Sequence, residues 1–150
     1  NILLHKGIST TLVDAGGNVL IERLITTYKT NAFGVADISY LDIETLRTVA
    51  YLRFSVRARI ALKFPRHKLA NDGTRYGPGQ AIVTPNVIRA ELVALFAQWE
   101  EAGLAEGMEQ FKADLIVERS STDPNRVDAV IPPDVVNQFR VFAAQVQFRL

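Results

Sequence analysis

Between Thr84 and Gly103 the sequence specifies a helix with a single apolar stripe, and a helix of that kind has to lie on another element. Thr84 is placed to cap the first unpaired N–H groups, and Pro85 suits the first helical position. Ile88, Leu92, Leu95, Phe96 and Trp99 then recur at helical spacing until Gly103 ends the run. A second helix is expected from Asp42, whose carboxylate can accept from first-turn N–H groups, to about Lys63, because Pro65 disfavours helical geometry before it. On the helical wheel Leu46, Val49, Ala50, Ile60, Ala61 and Phe64 form an apolar stripe, with Tyr51, Phe54, Ala58 and Leu62 in an adjoining sector. Burial on more than one side follows as the expectation. Arg53 and Arg57 fall inside the first stripe, where guanidinium groups would need carboxylate partners, within the chain or across an interface.

What the helices pack on is expected to be a small sheet. Residues 8–14 and 18–27 are rich in Thr, Val, Ile and Leu around Ala15-Gly16-Gly17-Asn18, which predicts a β-hairpin within residues 1–30. Tyr28 to Asp37 reads as a polar connection, and Phe64 to Thr84 as a long irregular loop. After a short helical turn at Met108 to Phe111, strands near 115–119 and 126–131 flank the turn Asp123-Pro124-Asn125, and Pro132-Pro133 halts the second. Residues 137–150 form a last segment in which Phe142, Ala144, Val146, Phe148 and Leu150 alternate with Val141, Ala143, Gln145, Gln147 and Arg149. A terminal strand without a breaker from Gln138 to Leu150 far exceeds the usual length of about 5–6 residues. The predicted fold is α/β, two main helices packed on a small β-sheet, with an N-terminal hairpin and a C-terminal strand arm at its ends.

At 150 residues one domain is expected. The chain opens on Asn1 rather than Met, which suggests the downstream part of a longer protein. There is no cysteine, so disulfide frameworks, thiolate zinc sites and cysteine nucleophiles are excluded. No apolar run approaches the ~20 residues of a membrane span, and nothing at the start has the pattern of a signal peptide, so a soluble, non-exported protein is expected. Charge is unevenly placed. Seven basic residues and no acidic one lie between Arg47 and Lys68, whereas Glu91 to Glu118 holds seven acidic residues against Lys112 alone.

Candidate chemistry is thin. Gly77 and Gly79 do not continue into a dinucleotide-binding pattern, since Ile82 stands where a glycine is required, and no GK[ST] occurs. His5 and His67 are too far apart in sequence to suggest a metal cluster or a triad, and no serine sits in a GxSxG elbow. The basic block could neutralise phosphates, but its residues spread around the helix instead of forming one face, so protein-facing charge pairs are the better reading. No catalytic, cofactor or metal site is expected, and neither nucleic acid nor membrane is an expected partner.

Long motifs then carry a resemblance. Ile25-Thr26-Thr27-Tyr28, Ala36-Asp37, Tyr40-Leu41-Asp42, the run from Lys63 to Ala70, Asp72-Gly73-Thr74 and Gly79 to Pro85 are among them. Ile116 to Arg119, Asp123 to Arg126, Pro132-Pro133-Asp134, Val136-Asn137-Gln138 and the closing Gln147 to Leu150 extend them. The chain resembles the C-terminal part of the tail sheath proteins of Mu-like contractile phages. The resemblance implies a non-enzymatic subunit, in the virion tail and before assembly in the host cytoplasm. Such subunits stack as hexameric rings around an inner tail tube, between a baseplate and tail terminator proteins, and contract to drive the tube through the host envelope. It also implies sheets completed by strands from neighbouring subunits. Arg53, Arg57, Arg140, Phe142, Val146, Phe148 and Leu150 are the expected subunit contacts. A phage-tail-like bacteriocin or secretion-machine sheath shares these mechanics, and a basic-helix nucleic-acid-binding module is the reading from another class.

Overall fold

The computed structural model describes residues 2–149. In chain order the elements are α1 (Ile2–His5), β1 (Thr10–Val13), β2 (Val19–Arg23), α2 (Ile43–Lys63), β3 (Lys68–Leu69), β4 (Ile82–Val83), α3 (Pro85–Glu101), β5 (Ala105–Glu106), α4 (Met108–Asp114), β6 (Ile116–Arg119), β7 (Val127–Val130) and β8 (Asp134–Val135). The α/β class, the two main helices and the strands near 115–119 and 126–131 are as expected. The single small sheet is not. Strands pair two by two, antiparallel as β1–β2, β5–β8 and β6–β7 and parallel as β3–β4, so the sheet content is four separate ladders.

The core forms around α3. Thr84 is extended and its hydroxyl accepts from the Val87 N–H, which starts the helix behind Pro85. Leu92, Leu95, Phe96 and Trp99 face inward and meet Leu52 of α2, Ala105, Phe111 of α4 and Leu115. Phe96 is fully buried and stacks on Phe111 with ring centroids 4.0 Å apart. The buried indole N–H of Trp99 donates to the Ser55 hydroxyl, which itself donates to the Leu52 carbonyl, so the indole is satisfied where α3 meets α2. Arg89 donates to the carbonyls of Lys112 and Leu115 at the end of α4, satisfying acceptors the helix leaves open.

Helix α2 corrects the wheel. Leu52 is its buried residue, and Val56 packs beside it on the core. That inward face lies about a quarter turn from the expected stripe, at 3.6 residues per turn. Ser55 must meet Trp99, and Arg59 and Lys63 must reach Glu91, at 3.1 and 3.7 Å. The Arg59 Nε–H is not directed at that carboxylate, so the contact is a charge attraction and not a hydrogen bond. Burial on more than one side is therefore wrong for this chain by itself: Ala50, Tyr51, Phe54, Ala58, Ala61 and Leu62 are exposed.

Side chains close the connections. The Asp14 carboxylate accepts from Gly16 N and Asn18 N, and Gly17, at φ 83°, takes the left-handed turn of the β1–β2 hairpin. The 64–84 loop is clamped at its base by the β3–β4 ladder, a correction to the irregular chain expected there. Within it Asp72 accepts from Asn86 N at the start of α3, and Arg119 joins Asn71 to the Pro124 carbonyl of the β6–β7 turn. Those contacts make the Asp72-Gly73-Thr74 motif architectural. His67 hydrogen-bonds the Pro65 carbonyl and sets its ring edge-on to Phe64. Among the described residues, no helix is long and apolar enough to cross a membrane.

Candidate assembly interface

Three surfaces of the described residues stand out for apolar side chains that nothing in the described chain covers. The first is the β1–β2 hairpin, where Leu12, Val13, Val19, Leu20 and Ile21 are exposed across both faces. A two-stranded ribbon of that kind is marginal in water without something to cover it.

The second is the C-terminal segment. The last backbone hydrogen bond tying it to the domain runs from Val136 N to the Leu104 carbonyl, next to the β5–β8 ladder. Residues 137–149 form no ladder with the rest of the described chain, which corrects the expected terminal strand. Phe142, Val146 and Phe148 are 80%, 92% and 83% exposed, so the alternation faces no core among the described residues. Leu150, the remaining arm contact expected from the sequence, lies outside the described residues.

The third is the outer face of α2. Ala50, Phe54, Ala58 and Ala61 line a shallow groove bounded by Arg53 and Arg57. On the other side of the same two arginines a more apolar groove runs between α2 and the chain after β7, lined by Val49, Leu52, Val56, Trp99, Ile131 and Pro133. Arg53 and Arg57 are exposed, and neither forms an ion pair with another described residue. Pairing inside the chain is thus corrected, because the helix turns them outward and gives Glu91 to Arg59 and Lys63 instead.

Arg140 does have a partner. Its Nη2 lies 2.8 Å from Asp42 Oδ1, and the same carboxylate receives Arg23 from the end of β2 at 3.3 Å. Asp42 occupies the N-cap position of α2 but makes no capping hydrogen bond with its side chain, contrary to the sequence expectation. Burial acts to raise its pKa, and the hydrogen bonds and charges of Arg140 and Arg23 outweigh that, holding the carboxyl below its ordinary 3.8. A carboxyl lowered in the fold contributes its stabilisation fully above the unfolded value and loses it as pH falls through the folded one. The Asp42 ion pairs are therefore complete at neutral pH and weaken only in acid below that value. An NMR titration of the Asp42 carboxyl should give a midpoint below 3.8, moving upward in Arg140→Ala. A midpoint at or above 3.8 in the unmodified protein contradicts this account.

Among the described residues, no three His, Cys, Asp or Glu side chains stand together as metal ligands would. Sequence reasoning missed Asp42 and Arg23 as a pair, since an acidic residue before a helix has the ordinary reading of a cap.

Comparison with known proteins gives the context of these surfaces. Residues 35–149 match the family described as Phage tail sheath C-terminal domain. All 150 residues align at 56% identity with the Mu-like prophage FluMu tail sheath protein of Haemophilus influenzae. The chain spans 31% of the length of that relative. With the family match over residues 35–149 and the alignment running through all 150, this chain is a member of the phage tail sheath C-terminal domain family.

Proposed function

We propose that this chain is the C-terminal portion of a structural subunit of a contractile tail sheath in a Mu-like phage. The subunit polymerises as hexameric rings around the inner tail tube, spans from the baseplate to the tail terminator, and contracts to drive the tube through the host envelope. It catalyses nothing. It works in the virion tail, after assembly in the host cytoplasm. The observation that carries this reading is the arm at 137–149, an alternating apolar segment that leaves the domain and finds no ladder within it. An arm of that kind is made to add a strand to a neighbour's sheet edge, where main-chain hydrogen bonds give strength and alternate side chains enter pockets.

The receiving edge is β7, whose outer side carries no partner strand in the two-stranded β6–β7 ladder. Beside it lies the apolar groove over Leu52, Trp99 and Ile131, which offers cover for Phe142, Val146 and Phe148 of an incoming arm. Arg53 and Arg57, on the rim of that groove, meet carboxylates of another subunit. Exposed Glu100, Glu101, Glu106 and Glu118 form no ion pair with the described residues and supply the complementary charge. Against a nucleic-acid role stands the use of Arg59 and Lys63 on Glu91, which removes two charges from the basic block.

Electron microscopy of the full-length protein tests this. Purified and concentrated, it is expected to form hollow, transversely striated tubes. Dispersed particles at every concentration and salt, combined with tight salt-dependent DNA binding, would instead favour the nucleic-acid module.

A further inference from the structure

The roots of the two terminal arms converge on one carboxylate. The hairpin root has its own backbone attachment: Thr26 N donates to the Leu41 carbonyl at 2.7 Å, Ile43 N to the Leu24 carbonyl at 3.4 Å, and Ile25 between them is buried. Asp42 is not needed to hold that root. Nor does its side chain cap α2. What it does hold is the other arm. Past the Val136 backbone bond, the contact between Arg140 and Asp42 is the one hydrogen bond or ion pair that joins the C-terminal segment to the domain among the described residues. The remaining polar contact of Arg140, to Gln138, stays within the arm.

We propose that Asp42 is a positioning residue, a catch that grips the C-terminal arm at Arg140 while braced by Arg23, and so sets where and in which direction the free arm begins. With the catch closed the arm departs at residue 141, beside the hairpin root. Opening it releases residues 137–140 as well, and four extended residues add about 13 Å of reach at roughly 3.3 Å each. A connector with two reaches allows neighbouring subunits to change spacing without parting. That consequence rests on the connector role of the arm proposed above, whereas the catch itself does not.

The chain contains no cysteine, so a spin-label pair can be introduced without removing any from this region. Labels at Tyr51→Cys on α2 and Val141→Cys just past the catch, in the full-length subunit kept dilute and unassembled, report the exit of the arm by pulsed EPR. The distance distribution is expected to be narrow in this background and at least twice as wide after Asp42→Asn or Arg140→Gln, with Arg140→Lys keeping it narrow. Arg140 lies on the exposed arm, so its variants test the catch even where Asp42→Asn unfolds the domain. Unchanged width in Arg140→Gln, with the helices intact by circular dichroism, overturns the proposal. If the widths change as expected but subunits lacking the arm still form tubes, the catch stands and the connector role fails.

Discussion

Deleting residues 139–150 from the full-length protein is expected to leave soluble subunits that cannot form tubes. The domain should survive, because its core from Leu52 to Leu115 and its last ladder, β5–β8, are complete before the arm begins. Assembly should not, because the deletion removes Phe142, Val146 and Phe148 with every main-chain donor and acceptor between them. Burying one such side chain is worth roughly 1.5–3 kcal/mol, and about 1.4 kcal/mol is tenfold in affinity. Even after the cost of ordering the arm, a loss on the order of a hundredfold per subunit contact is expected. Circular dichroism should show both main helices retained, and electron microscopy should show no striated tubes. Contractile sheaths built from the truncated protein would make the arm a local element and move the connector role to another surface.

Phe96→Ala is expected to destabilise the domain by about 3–5 kcal/mol, the usual cost of emptying a fully buried phenylalanine site. The site has little freedom to collapse, since Phe96 is held between Trp99 of its own helix and the stacked ring of Phe111 on α4, while the Trp99–Ser55 hydrogen bond ties α3 to α2. For a chain of this size each kcal/mol corresponds to about 2–4 °C in Tm, so a fall of about 6–20 °C is expected. Trp99 is the single tryptophan and is itself buried, which makes its fluorescence a direct report of urea unfolding in the 150-residue chain. Phe96→Leu should lose much less, because most of the volume remains. A loss below about 1 kcal/mol in Phe96→Ala would mean that the core is centred elsewhere.

Legibility in the sequence followed how local the determining physics was. Thr84-Pro85 with the stripe from Ile88 to Trp99 described α3 almost to the residue, because capping and helical period act within one segment. The turns at Ala15 to Asn18 and Asp123 to Asn125 were equally readable from their residue types, and the structure adds the Asp14 and Asp123 carboxylates bonding the backbone a few residues on. The long motifs placed the chain in its family, and the family match bears them out.

Tertiary structure decided what depended on distant partners. Which side of α2 faces inward was set by Trp99, forty-four residues away, seeking the Ser55 hydroxyl, and by Glu91 reaching Arg59 and Lys63. With apolar residues over most of its circumference, the wheel offered a stripe about a quarter turn from the face that Leu52 and Val56 bury. Asp42 has a composition signal for a cap and a structural role as a charge partner, because two guanidinium groups remote in sequence converge on it. The terminal alternation at Phe142 to Phe148 specified strand-like side-chain placement but not a strand, since a ladder needs a second backbone and none of the other described residues pairs with it.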